Sequence, residues 1–429
     1  MASVVVFEDF GWQRLLPLVY FRATFELRCG MATLLDRIDR VAMAKGHALS
    51  GVWCRDLLAR VFQERGLASV CRPLAPGDLL VNGRGLWNTI PEPNERRGAW
   101  VGVSGDPEAV ACIGVDEPLS ASLTPDVLLD ELRLRSHLAG LPRVDVSADV
   151  RLFDWPWQVV LDNEQALISD WESRDQTANP ATPQADPGVY LLAPESIRIG
   201  GQTRIKPCVV IDAEKGPVWI GNNVTILPHS YVQGPAFIGD GSLLQPGAVV
   251  HAGTTIGPCC KVGGEIESSI IHGHSNKQHD GFLGHSYIAS WVNIAADCIN
   301  SDLKNTYGSV RVPINGKEVD TNEMFVGMFV GDFSKAGINV SFPTGAVIGF
   351  CSSVFAPSSP KFVPSFAWLN RDQVKRLDVR RGMEVATKVM QRRQWTLTAA
   401  QADLFGSIRQ QALALELQPQ LAIESTSPA

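Results

Sequence analysis

Every sixth residue from Ile220 to Val262 is aliphatic: Ile220, Ile226, Val232, Ile238, Leu244, Val250, Ile256, Val262. Gly, Asn, Pro and small polar residues fill the gaps, as in Ile220-Gly221-Asn222-Asn223 and Ile238-Gly239-Asp240-Gly241. A period of six fits neither a helix nor plain strand alternation. It is the hexapeptide repeat of a parallel β-helix, whose aliphatic side chains point into a thin prism. The register recurs upstream at Ile199, Ile205 and Ile211, and downstream at Ile288, Ile294, Val330, Ala336, Phe342, Ile348 and Val354. It breaks between Val262 and Ile288, and the stretch from Pro313 to Glu323, which lacks the repeat, is expected to project from the prism.

The chain before the repeat follows another pattern. Ser3–Phe7, Gly51–Cys54 and Leu79–Val81 read as buried strands, and Leu27–Lys45 and Arg55–Gln63 as helices. Alternating strands and helices predict an α/β layer with a mainly parallel sheet. Ligands of such sheets sit beyond the carboxyl ends of the strands, which points to the loops around Asp9–Arg28 and Asn82–Leu86. The first loop holds Arg14, Arg22 and Arg28. Guanidinium forks match phosphate oxygens, so the three are phosphate-binding candidates; the plainer alternative is three ion-paired surface arginines. Trp155-Pro156-Trp157 is expected to pack a domain edge, and Asp154 and Asp162 to be solvated or capping rather than metal ligands. From Glu172 to Pro183 the chain turns polar and reads as a linker.

Composition narrows the function classes. The chain has 429 residues, 45% of them hydrophobic, and a formal net charge of −7. A large core can form, and a nucleic-acid binder driven by global charge is disfavoured. Nine cysteines without a C-x-x-C pair or zinc spacing predict reduced thiols in a cytoplasmic protein, with Cys259-Cys260 in a β-helix turn. The start lacks a signal-peptide pattern, and no run of apolar residues is long enough to predict a membrane span.

The candidate chemistry lies where the repeat breaks. His272, His274, His279 and His285 are half of the chain's eight histidines. A neutral imidazole is a general base near neutral pH; four histidines also raise the question of a zinc site, or of rings that only satisfy turn backbone. A second polar run, Asn293 to Asn305, forms either an internal ladder or a ligand rim.

At these residues the chain resembles a known family. Ser275-Asn276-Lys277-Gln278-His279-Asp280-Gly281-Phe282-Leu283-Gly284 and Asn293-Ile294-Ala295-Ala296-Asp297-Cys298 are similar to segments of the acetyltransferase half of the bifunctional N-acetylglucosamine-1-phosphate uridyltransferase/glucosamine-1-phosphate acetyltransferase family. An alternate bacterial branch of sugar nucleotidyltransferases is nearer still. It shares patterns like Leu16-Pro17-Leu18, Arg22, Leu27-Arg28-Cys29-Gly30, Trp157…Asn163-Glu164-Gln165-Ala166 and Gly263 to Gly284. The resemblance covers about residues 3–370. It implies a transferase with a sugar-nucleotidyltransferase-like domain and a trimeric left-handed β-helix. It also implies that His279 deprotonates a sugar amine for attack on acetyl-CoA, with CoA between neighbouring subunits. Lys277, Asp280, Asn293, Asn300, Lys304 and Asn305 are the substrate-binding candidates. The partners would be a sugar phosphate or sugar nucleotide and two further copies of the chain, with neither nucleic acid nor membrane.

Some family positions differ. The Gly-x-Gly-Thr-Arg-Met loop is absent, with Gly11-Trp12-Gln13-Arg14-Leu15 in its place, and the metal-binding Asp gives way within Asn82-Gly83-Arg84. Mg²⁺-dependent nucleotidyl transfer is thereby in question. Phe282 replaces a Tyr and Gln245 an Arg. A binding or scaffold protein for sugar nucleotides is therefore the alternative to a catalyst, and a zinc-dependent hexapeptide protein a second one.

The expected organisation is a nucleotidyltransferase-like α/β domain over 1–186, a left-handed β-helix over 187–369 and a helical tail over 370–429. In the tail, Val374, Leu377, Val385, Val389 and Met390 share one face of a basic helix packed on the prism. Phosphate binding by its arginines is the lesser reading. Residues after Gln418 are expected to be disordered.

Overall fold

A computed structural model describes residues 2–66, 69–92, 97–105, 109–174, 184–371 and 373–416. The end of the linker and the residues after Gln418 lie outside the described residues. The N-terminal part builds one six-stranded sheet in the order Ala48–Trp53, Ser3–Phe7, Leu79–Asn82, Ala109–Gly114, Trp100–Ser104, Arg143–Asp145. The first three strands run parallel, and Ala109–Gly114 is antiparallel to both its neighbours. The helix expected from Leu27 starts at Leu34, where Thr33 caps it and Asp36 closes the capping box. The residues before it form a small hairpin, Arg28–Cys29 against Ala32–Thr33. Gly30 turns that hairpin at φ +74°, a left-handed conformation that favours glycine. Helices Pro156–Leu161 and Asn163–Ser173 then carry the chain onto the β-helix. Trp155 stacks on Trp157, whose ring faces Phe329 of the prism, so this pair packs a domain edge.

The β-helix has three faces, each of parallel strands except for the last strand of the first face. The first face is an eleven-stranded sheet that starts at Gln184–Ala185 and ends at Gln373–Arg376. The second runs for six strands from Tyr190–Leu192 to Phe282–Gly284, and the third for nine from Ile197–Ile199 to Phe362–Val363. All the hexad residues point inward and are buried. The helix does not stop at the apparent break. Val250 pairs with Ile266, Ile256 with Ile271, Val262 with Lys277, Ile266 with Leu283 and Ile271 with Ile288. The coil closes there with shortened turns, which shift the inward positions off the six-residue count. The expected projecting loop is also revised. Arg311–Ile314 and Lys317–Asp320 form a hairpin that buries Val312 and Ile314, and Asn315 donates to the Gln13 carbonyl of the N-terminal domain.

The tail is not one helix. Ala367–Asn370 and Gln373–Arg376 pair as an antiparallel hairpin, so Val374 and Leu377 lie before the first tail helix, Val379–Gln391. The second, Ala399–Leu415, wedges Phe405 between Phe21 of the N-terminal domain and Phe333, Phe350 and Phe366 of the prism. One buried apolar cluster therefore spans the N-terminal sheet, the third face and the tail, while a second fills the prism. No helix among the described residues is long and apolar enough to cross a membrane.

Candidate functional site

The four histidines have different fates. His272 is half-buried with both ring nitrogens engaged: Nε2 faces the Glu26 carbonyl and Nδ1 the Ser290 hydroxyl. Burial, then Arg22 and Arg28, hold its pKa well below the usual value. His274 stacks on Trp291 at 4.5 Å and meets Trp395 edge-on; burial, then Arg393, lowers its pKa to about 4. His285 Nδ1 lies 2.8 Å from Asp302 Oδ2, with Phe325 against its ring. His279 is exposed, on the turn between the first and second faces. Its neighbour is the Gln278 amide, 3.1 Å from Nε2. The four rings thus point to separate partners. Among the described residues no group of three His, Cys, Asp or Glu could hold a metal ion.

The substrate-binding candidates divide. Lys277 is buried at an inward position of the coil, where its ammonium donates to the carbonyls of Gly263, His279 and Asp280. It fixes the turn that presents His279 and is not placed to touch a ligand. Asn300 is buried and bonds the backbone of Gly284 in both directions, as in an internal ladder. Lys304 donates to the Ser309 carbonyl. Asp280 and Asn305 are exposed. Asn293 accepts from Asn276, and both line a cavity of about 490 Å³ on the first face. Lys261, Lys335, Arg392 and Arg393 line it too, and Arg393 donates to the Asn276 amide oxygen. From sequence these tail arginines carry less weight than the histidine segment; the Arg392-Arg393 doublet before Trp395 is the signal that points to them.

The three arginines of the first loop do not gather into one clamp. Arg14 pairs with Asp154 at 2.8 Å near the surface. Arg22 is buried against Asp332 of the prism and also reaches Ser290. Arg28 donates to the Met31 and His272 carbonyls at the domain seam. The carboxyl ends of the parallel strands are filled by ion pairs. Glu8 holds Arg55, which lies 4.0 Å over Trp12, and Arg84 bridges Asp9 and Asp154 at 3.0 Å each. Asn82 also donates to Asp9. A divalent cation does not fit these residues, because a buried guanidinium already stands between the two carboxylates.

Comparison with known proteins adds family information. Residues 4–178 match the family described as "Sugar nucleotidyl transferase". The bifunctional protein GlmU of Acidithiobacillus ferrooxidans is 30% identical over 173 residues, 39% of this chain and 34% of that protein. The bifunctional sugar-1-phosphate nucleotidylyltransferase/acetyltransferase of Sulfurisphaera tokodaii is 30% identical over 143 residues, 33% of this chain and 36% of that protein. The matches thus span about a third of the length of these curated relatives. Among solved structures, the UDP-N-acetylglucosamine acyltransferase of Francisella novicida is 14% identical, covering 55% of this chain and 87% of that one with a TM-score of 0.29, too slight a likeness to carry an argument. In sequence, then, this chain is similar to the sugar nucleotidyl transferase family over residues 4–178, and over about two fifths of its length to bifunctional GlmU proteins.

Proposed function

We propose that the protein is an acetyl-CoA-dependent N-acyltransferase acting on an amino sugar or its phosphate, with His279 as general base. The observation that carries this reading is that His279, alone among the four clustered histidines, is exposed on the β-helix, with only the Gln278 amide beside its ring. His279 takes a proton from the sugar amine as its nitrogen attacks the thioester carbonyl. The tetrahedral intermediate then collapses, the C–S bond breaks, and the leaving thiolate takes the proton back from the imidazolium. The products are the N-acetyl sugar and CoA. Lys261, Lys335, Arg392 and Arg393 supply cations suited to the CoA phosphates. Asn293, in the same cavity, and Asp280, beside the base, are the polar groups offered to the sugar. The reading includes a cytoplasmic homotrimer, as the family resemblance implies.

The N-terminal domain is assigned a sugar-nucleotide role without a metal-dependent step, since Arg84 stands between Asp9 and Asp154. That feature favours a second reading, a non-catalytic sugar-nucleotide-binding protein. Thiol release from acetyl-CoA over a panel of amino sugars and their phosphates separates the two. We expect acceptor-dependent release that falls by about a hundredfold or more in His279→Ala, the usual scale of general-base loss. Release that persists in the variant would overturn the role of His279. No release with any acceptor, beside equilibrium binding of UDP-sugars, would favour the second reading.

A further inference from the structure

A cavity of about 580 Å³ opens at the seam between the N-terminal domain and the β-helix. Its size is that of an ordinary small-molecule site. One wall is the hairpin and first helix, with Arg28 and Asp36; another is the end of Asn163–Ser173, with Arg174. The floor is made by strands of the third face, with Arg198, Trp219 and Phe237, and by the turns that follow them, with Asn222 and Asp240. This edge of the prism is not the edge that carries His279.

The charges are unusual for a seam. Arg28 and Arg174 form no salt bridge among the described residues, unlike Arg22, Arg55 and Arg84 of the same domain. The Arg174 Nε is buried without a hydrogen-bond partner, and its guanidinium lies 5.1 Å over the Trp219 ring. Arg28 lies 5.9 Å over Phe237. Burial lowers the pKa of both, so each charge is held at a cost that the protein alone does not offset. The two carboxylates at the rim are already engaged. Asp36 accepts from Thr33, and Asp240 accepts from the Asn222 backbone at 2.7 Å. Neither carboxylate forms an ion pair with Arg28 or Arg174 among the described residues.

We propose that this cavity binds a phosphate-bearing small molecule, whose phosphate oxygens are held by Arg28 and Arg174. Guanidiniums pinned against aromatic rings are pre-oriented, and a planar fork fits phosphate oxygens two at a time. The site would join the two domains, since its cations come from one and its floor from the other.

Calorimetric binding to the full chain tests this with pyrophosphate, UDP and uridine, in the absence of acetyl-CoA and any acyl acceptor. Its outcome is therefore separate from that of the acyltransferase reading. Pyrophosphate and UDP should bind, and uridine should not. Arg174→Gln should weaken both by about tenfold to a hundredfold, the scale of one lost charged hydrogen bond or pair of bonds. Arg14→Gln, at the surface and away from the seam, should leave binding unchanged. Arg28→Gln serves as a second variant, with thermal unfolding to confirm that it folds. Equal binding of uridine and UDP, or UDP and pyrophosphate affinities unmoved by Arg174→Gln, would overturn the proposal, as would a wild-type protein that binds neither anion.

Discussion

Lys277 stands at an inward position of the coil, directly above Val262. Aliphatic side chains fill the neighbouring inward positions, yet here an ammonium is buried and satisfied by three carbonyls. Its place was not legible from the sequence, because the shortened turns around it hide the six-residue count. His279 stood out in the sequence as a candidate, because the Ser275–Gly284 segment could be matched as a motif. Its accessibility was not legible, since exposure depends on which neighbours fold over the ring. Trp291 and Trp395 fold over His274 instead. In the unfolded chain the His274 ring takes a proton near pH 6.5, and in the folded protein only near pH 4. Between those values the unfolded state binds more protons, so stability is lost as pH falls across that window and regained as it rises. Melting temperature followed from pH 7 to pH 4 should therefore decline, and His274→Asn should flatten that slope even if it lowers the curve as a whole. A slope unchanged in the variant would assign the effect to other groups.

At the scale of elements, the hexad pattern made the β-helix legible over nearly its full length. Only a coil that turns a corner every six residues repeats aliphatic side chains at that interval through so many turns. The hairpins Arg28–Thr33, Arg311–Asp320 and Ala367–Arg376 were not legible, for a common reason. Each buries its side chains against a distant part of the chain, so no local periodicity marks it. The tail shows the same limit. Its basic residues and apolar face predicted one helix, but tertiary packing splits it and sends the second half to the N-terminal domain. Phe405 is fully buried there among four other phenylalanines. Phe405→Ala should cost about 3–5 kcal/mol, the range for a large aromatic removed from a core. Chemical denaturation measures it; a loss below about 1 kcal/mol would mean that the tail is an appendage rather than part of the core.

At the scale of the whole molecule, the two domains share buried polar contacts. Arg22 reaches Asp332, the Arg28 backbone donates to the Tyr287 hydroxyl, and Asn163 links Gly30 to Gly253 and Thr255. Arg22, Arg28 and Asn163 each stand in a recognisable motif, yet nothing in the motif names a partner, because partners across a domain seam leave no trace in spacing. Removing one member of a buried pair strands the other charge, so Arg22→Met should destabilise by about 3–5 kcal/mol. Arg22→Met with Asp332→Leu should recover most of that loss. A double variant as unstable as the sum of the two single ones would show that the pair is not coupled.

Two of those attachment points lie on the same face of the prism but on different coils. Thr255 belongs to Thr254–Ile256, and Asp332 follows Phe329–Val330, three strands further along that sheet. Adjacent strands are about 4.8 Å apart, so the N-terminal domain spans roughly 14 Å of the solenoid like a caliper. Repeat proteins commonly change length by gaining or losing whole coils. Here a coil added or removed between those two points would keep every inward side chain in register and still move one jaw of the caliper off its mark. The docked domain thereby fixes the repeat number of the segment beneath it, in a kind of fold whose length is otherwise free to drift.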